Sequence, residues 1–285
     1  MDLKEKRVGI FFDTVKIVKN GSYRISGNDY VMVSSTASPS QFFENKIDIE
    51  FDKLPTYEEK ISVEEMDCLL MAERELKNGG NVAVLNMASP SLPGGGVLKG
   101  SGAQEENLFR RSSLFNSLYQ FKRQLANEFD IEPSPNQYPL NENYGGIYSP
   151  NVAVFRGTED EDYPLLPTPF KINVVTVAAC KNPQLTADGK LSNDAKEKTI
   201  NKIETILNIC LINGIDTIIL SAFGCGAFST PPNEMALAFK EVLTSENYKN
   251  KFKFVGFAII DDHNAHREHN PEGNFTPFKR VFEND

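Results

Sequence analysis

The sequence predicts an α/β fold built on a mixed, largely parallel sheet with helices on both faces. Three observations point there. Short, continuous apolar runs such as Val82-Ala83-Val84-Leu85 recur between turn signals, the pattern of strands buried on both faces. Stretches with apolar residues at helical spacing alternate with them. Two glycine-containing loops leave the carboxyl ends of predicted strands, where open α/β sheets bind ligands.

The elements follow in order. The apolar run at residues 7–12, with turn signals at Asn20-Gly21 and Gly27-Asn28, predicts short extended segments up to about residue 35. Residues 36–58, rich in Ser, Pro and Asn, predict a connecting loop. Met66, Leu69, Leu70, Ala72 and Leu76 predict a helix from Val63 to Leu76. Ser62 is its expected N-cap, Glu65 completes a capping box, and Asn78-Gly79-Gly80 stops it. The strand at 82–85 leads into a glycine-rich loop over 86–103 and a helix from about Gln104.

Residues 131–150 predict mostly loop, with short strands at 152–155 and 172–177. Glu159-Asp160-Glu161-Asp162 reads as a solvated turn. Ile200, Ile203, Ile206, Leu207 and Cys210 form the apolar stripe of a helix over 194–213, closed by Asn213-Gly214. A strand at 217–220, a second glycine-containing loop, a helix from about Pro232 and a strand at 254–260 complete the chain.

Composition excludes several function classes. The 285 residues carry 30 basic and 39 acidic side chains, a net charge of −9. Such a balance argues against a broad Lys/Arg surface for DNA or RNA. An anionic ligand is still accommodated if backbone N–H groups and helix N-termini hold it. No apolar run is long enough to span a membrane. The start, Met1-Asp2-Leu3-Lys4-Glu5-Lys6-Arg7, lacks a signal peptide's apolar stretch. Cys68, Cys180, Cys210 and Cys225 form no CxxC pair, so reduced thiols in a cytoplasmic setting are expected, or in a host cytosol for a secreted effector.

In the first loop, Gly94-Gly95-Gly96 is followed by seven residues and then by Gln104-Glu105-Glu106. Successive glycines adopt backbone conformations closed to other residues and let a ligand approach the main chain. The loop is neither a Walker A motif, since Lys99 precedes Gly100, nor GxGxxG. Adjacent Glu105 and Glu106 diverge by about 100° on a helix, so they are expected to play different roles and not to face each other as a matched pair. In the second loop, Ser221-Ala222-Phe223-Gly224-Cys225-Gly226-Ala227-Phe228 precedes Pro231-Pro232 at a helix start. Gly224 and Gly226 there let successive N–H groups converge on an anion.

Together, Gly94-Gly95-Gly96, the spacer and Gln104-Glu105-Glu106 resemble the signature of microbial-type poly(ADP-ribose) glycohydrolases. The segments 82–93, 147–152, 174–179 and 257–259 resemble the same branch, so the similarity extends over about residues 60–283. The resemblance implies a macrodomain-like three-layer α/β/α sandwich over 61–285, with residues 1–60 as an N-terminal extension packed on it. It implies hydrolysis of ribose–ribose bonds in poly(ADP-ribose), releasing ADP-ribose, with water and no cofactor or metal.

By the same resemblance Glu106 is the general acid/base and Glu105 orients the terminal ribose. Gln104 supports the loop, and Gly94, Gly95 and Gly96 pack along ribose and phosphate. Gly224, Cys225, Gly226 and Ala227 grip the diphosphate, with Phe228 near the terminal ribose. Asn86 and Ser89, at the strand end entering the first loop, touch the ribose or position the loop. Two other functions stand beside this one: a hydrolase of mono-ADP-ribosylated protein or nucleic acid, and a non-catalytic ADP-ribose reader. The intact Gln104-Glu105-Glu106 argues against the reader, which has no need of two acids beside an anionic ligand.

His263, His266 and His269 are spaced three apart; they read as a solvated loop, or as a metal site that the family does not imply. Arg110 and Arg111 are expected to pair with carboxylates on the surface. Cys225, between two glycines and with no His near it in sequence, reads as a packing residue and not a nucleophile.

Overall fold

The structure is a computed structural model and describes residues 2–25, 29–33, 38–261 and 265–283. In chain order its elements are α1 (Leu3–Asn20), β1 (Ser22–Ile25), β2 (Asp29–Met32), β3 (Gln41–Phe43), β4 (Lys60–Glu64), α2 (Cys68–Lys77), β5 (Val82–Met87), α3 (Gln104–Arg111), α4 (Leu114–Leu118), α5 (Arg123–Glu128), β6 (Gly146–Arg156), β7 (Leu165–Val177), α6 (Asn193–Ile212), β8 (Thr217–Leu220), α7 (Pro232–Leu243), β9 (Phe254–Ala258) and α8 (Phe275–Glu283). A seven-stranded sheet runs β3-β6-β7-β5-β8-β9-β4, and β1 and β2 form a separate antiparallel pair. The predicted α/β class with a mixed sheet is therefore what the chain adopts.

The chain forms two compact units from non-contiguous segments. One comprises residues 1–42, 88–140 and 147–174; the other comprises 43–87, 141–146 and 175–285. In the second unit, β5, β8, β9 and β4 pair in parallel, with Val84 opposite Ile219, Ile219 opposite Gly256 and Gly256 opposite Ser62. Successive strand residues point to opposite faces. A Cβ on Gly256 would fall on Met71 of α2, whereas the Phe257 ring packs on Phe239 of α7 and Phe278 of α8, with centroids 5.3 and 5.4 Å apart. Helices thus cover both faces of this sheet segment, and Val255, Phe257, Phe239 and Phe278 are fully buried between layers.

Expectations for two helices and for the end of one strand are corrected here. The predicted helix at 63–76 starts later: residues 60–64 are strand β4, and α2 begins at Cys68. The true cap is Asp67, whose carboxylate accepts the Leu69 and Leu70 N–H groups at 3.0 and 3.1 Å. Ser62 instead donates its hydroxyl to Glu64, 2.7 Å away. The capping-box spelling lost to burial of Val63 in the parallel ladder beside Phe257. Strand β9 also ends earlier than expected, at Ala258.

The second helix correction concerns residues 7–12, expected to be extended and found in α1. The buried residues Phe11, Thr14, Val15 and Val18 recur at three- and four-residue spacing, which is a helical stripe. Asp2 and Glu5 cap its start, with the Asp2 N–H donating to Glu5 at 3.3 Å. Gly21, at φ 71°, closes it with its N–H on the Val18 carbonyl. Phe11 supplies the driving contact, with the rings of Phe109, Phe115, Tyr119 and Phe129 around it at 6.0 to 6.4 Å. Local β-propensity gives way to burial against partners distant in sequence. Gly27-Asn28, read as a turn, lies outside the described residues.

Candidate active site

The first glycine loop folds back over the start of α3. That helix opens on Gln104 with Glu105 and Glu106 in its first turn, where the helix dipole favours carboxylates. The loop supplies their partners. Glu105 accepts the Gly94 N–H at 3.0 Å on one oxygen and the Ser89 N–H at 2.8 Å on the other. Glu106 accepts the Gly96 N–H at 2.8 Å on Oε1. Its Oε2 is buried and has no hydrogen-bond partner among the described residues.

Gly95 explains why the middle of this triplet carries no side chain. Its φ is +52°, and a Cβ would stand 2.7 Å from Glu106 Oε1 and 3.1 Å from Glu105 Oε2. Both carboxylates therefore flank one Cα, and both side chains are over nine-tenths buried. Gly94 has positive φ as well, and a Cβ there would enter the Phe109 ring, while one on Gly96 would fall on Ser101. Gln104 stands half-buried at the first position of α3.

The second loop lies within the other unit. Gly224 takes φ +75°, and a Cβ on it would approach Ala179 to 2.8 Å. The Cys225 N–H is spent on the Ala222 carbonyl. Among the described residues, none accepts a hydrogen bond from the N–H groups of Gly226, Ala227 or Phe228. Gly226 and Phe228 are half-buried and Ala227 is exposed. Among the described residues these three successive N–H groups therefore have no acceptor, and the α7 N-terminus follows them at Pro232.

Cys225 itself is fully buried, and its thiol donates to the Phe223 carbonyl at 3.6 Å. Burial pushes that thiol well above the ordinary range, which removes thiolate character and leaves a packing role.

Of the three histidines, His263 lies outside the described residues. The His269 Nε2 meets the Cys225 carbonyl at 2.8 Å, and His266 Nδ1 meets the Pro271 carbonyl at 3.2 Å. Since a carbonyl only accepts, His269 carries its proton on Nε2.

Arg110 and Arg111, expected at the surface, are buried, Arg110 completely. Arg110 donates to the Tyr163 hydroxyl and to the Ser101 carbonyl, both at 2.8 Å. Sequence reasoning missed this position because a basic pair after two acids reads as surface charge. It also missed Tyr119 and Tyr138, whose buried hydroxyls lack partners among the described residues. Burial and then the nearby Glu105 charge hold both phenols above their ordinary range. No local pattern marks either tyrosine.

A family model described as the microbial-type PARG catalytic domain, PARG being poly(ADP-ribose) glycohydrolase, matches residues 12–157. The chain belongs to this family. Among solved structures, it is similar to a Thermomonospora curvata poly(ADP-ribose) glycohydrolase bound to the inhibitor ADP-HPD. That match has 26% identity, a TM-score of 0.74, and covers 98% of this chain and 100% of the other. It is also similar to a Deinococcus radiodurans poly(ADP-ribose) glycohydrolase in complex with ADP-ribose, at 27% identity and a TM-score of 0.61, over 80% of this chain and 86% of the other. No curated protein matches the chain. The family model takes in both the PARG glycine triplet and Glu105-Glu106. Among the described residues no helix is long and apolar enough to cross a membrane.

Proposed function

We propose that this protein hydrolyses the ribose–ribose O-glycosidic bonds of poly(ADP-ribose) and releases ADP-ribose, with Glu106 as general acid/base. One observation carries the assignment within the pair. Both Glu105 oxygens are engaged by backbone N–H groups, whereas Glu106 is fixed through Oε1 and keeps a buried Oε2 with no partner among the described residues. A carboxyl held by one oxygen, with the other left without a protein partner among the described residues, has a position to spend on proton transfer to a bound substrate.

Glu106 enters the reaction as the acid and gives its proton to the leaving ribose oxygen as the glycosidic bond breaks. Positive charge then develops on the anomeric carbon, as in an oxocarbenium-like transition state. The resulting Glu106 carboxylate takes a proton from the water that adds to that carbon, which restores the acid. Glu105 holds Ser89 and Gly94, and so fixes the loop beside the reacting group. The N–H groups of Gly226, Ala227 and Phe228 take the diphosphate. Neutral donors reconcile a polyanionic substrate with a protein of net charge −9.

The experiment is release of ADP-ribose by wild type and Glu106→Gln from poly(ADP-ribose), beside mono-ADP-ribosylated proteins with acidic, serine and arginine linkages. The expected result is Glu106-dependent release from the polymer, with ADP-ribose binding retained in the variant. Full turnover by Glu106→Gln overturns the mechanism. Release from one mono-linkage only moves the function to removal of single ADP-ribose groups. Binding without turnover of any substrate makes the protein a reader.

A further inference from the structure

We propose that Arg7 of α1 and Arg110 of α3 are positioning residues for the glycohydrolase reaction, setting Glu106 through the spacer at 97–103. The proposal rests on the reading of Glu106 as acid/base.

The spacer opens on a short helical turn at Val97–Lys99 with its own backbone bonds, and groups from α1 and α3 hold its second half, Gly100 to Gly102. A relay of hydrogen bonds connects it to the carboxyl. Arg110 Nη1 donates to the Ser101 carbonyl at 2.8 Å. The Ser101 N–H donates to the Gly96 carbonyl at 3.2 Å. The Gly96 N–H donates to Glu106 Oε1 at 2.8 Å. The two peptide groups joined at the Ser101 Cα carry the first and second links, and the two joined at the Gly96 Cα carry the second and third, so each link restrains the residue that makes the next. Moving Ser101 therefore rotates the donor that orients Glu106.

Arg7 clamps the same segment from α1. Its Nη1 reaches the Gly100 carbonyl at 3.5 Å, and its guanidinium lies so close to Gly102 that a Cβ there would overlap it. Gly100 likewise leaves no room for a Cβ against the Lys4 backbone.

The two guanidiniums are coupled. Arg7 holds Glu159 with both arms, Nε to Oε1 at 2.7 Å and Nη2 to Oε2 at 3.1 Å. Such a fork fixes orientation as well as distance. Tyr163 links to Glu159 and accepts from Arg110 Nε at 2.8 Å, and the Arg110 cation lies 5.6 Å from its ring centre. Burial pushes the Glu159 carboxyl up, but the Arg7 bond, with Tyr163 and Arg110, outweighs it and holds the group low. Burial lowers the Arg110 pKa and the Tyr163 dipole opposes that. A fully buried cation is expensive to keep, and a single surface turn or helix end has no need of one. Its placement is accounted for by the loop it fixes.

The test compares wild type, Arg7→Met, Arg7→Lys, Tyr163→Phe and the control Lys6→Met, which removes an exposed ion pair between Lys6 of the same helix and Asp162 of the β6–β7 loop. The readouts are kcat and KM for ADP-ribose release, the Kd for ADP-ribose, and the unfolding midpoint. Misplacing a reacting group by about 1 Å costs about a hundredfold. Arg7→Met and Tyr163→Phe should therefore lose about tenfold to a hundredfold in kcat, with KM and Kd little changed. Arg7→Lys, which keeps the charge and loses the fork, should fall between, and Lys6→Met should match wild type. If Arg7→Met fails to fold, Tyr163→Phe, which removes one hydroxyl, decides the matter. Wild-type kcat in folded Arg7→Met or Tyr163→Phe overturns the proposal, even with a lowered midpoint. Failure of the underlying reading looks different, since wild type itself then releases no ADP-ribose or Glu106→Gln retains full turnover.

Discussion

Replacing Gly95 by alanine separates backbone strain from damage to the acid/base group. At φ +52° an alanine costs about 1–2 kcal/mol relative to an allowed conformation. Its Cβ would also stand 2.7 Å from Glu106 Oε1. The cheapest relief is rotation of the Glu106 carboxyl, because that oxygen is the far end of a flexible side chain. Rotation breaks the 2.8 Å bond from Gly96, a hydrogen bond worth about 0.5–1.5 kcal/mol. Partial relaxation recovers some of this, so the total loss of stability should be about 2–3 kcal/mol.

The same rotation misplaces Oε2, and kcat should fall about a hundredfold. Gly189→Ala is the control. It has φ +78° and nothing within 4 Å of a new Cβ, so it should lose about 1–2 kcal/mol and no activity. Urea unfolding gives the stabilities, and ADP-ribose release from poly(ADP-ribose) gives kcat. Wild-type kcat in Gly95→Ala, or equal activity losses in the two variants, would refute the link between this backbone position and the Glu106 carboxyl.

Two further predictions concern stability. Burial pushes the Glu59 carboxyl up to about 7, although the Phe252 N–H at 3.4 Å pulls the other way. The folded state therefore binds this proton more tightly than the unfolded chain, and stability falls as pH rises from about 4.5 through 7. Glu59→Gln should stabilise the protein by about 2 kcal/mol at about pH 8, allowing for partial exposure, and by almost nothing near pH 4; a difference that does not vary with pH would show that Glu59 is not the titrating group. Asp67→Ala removes the acceptor for two α2 N–H groups and should cost about 1 kcal/mol, read as a lower unfolding midpoint; Ser62→Ala, at the cap position the spelling favours, should leave it nearly unchanged.

Much of the fold was legible because local pattern and burial agree. The run at 82–85 and the strand at 217–220 are apolar on both faces, as parallel pairing of β5 with β8 requires. The stripe ending at Cys210 belongs to one long helix, α6. The start of α3 at Gln104 was legible too, and with it the two acids in its first turn. Legibility failed where a distant partner decided the outcome. Residues 7–12 are rich in β-formers, yet Phe11 is buried among rings from α3, α4 and beyond. Ser62 and Glu65 spell a capping box, yet Ser62 pairs in register with Gly256.

By itself the sequence determined the chemistry available: two carboxyls one residue apart, a glycine triplet separated from them by eight residues, and a second loop able to offer N–H groups to an anion. Those features depend on residue type and spacing along a few turns of chain. Only the tertiary structure decided which carboxyl is tied down at both oxygens and which keeps one open. It also decided that Arg110 is buried and that Arg7 lies on the spacer. These outcomes depend on where Ser89, Gly96, Ser101 and Glu159 sit in space. A hydrogen bond reaches about 3 Å, whereas sequence pattern reports only the neighbours along one element.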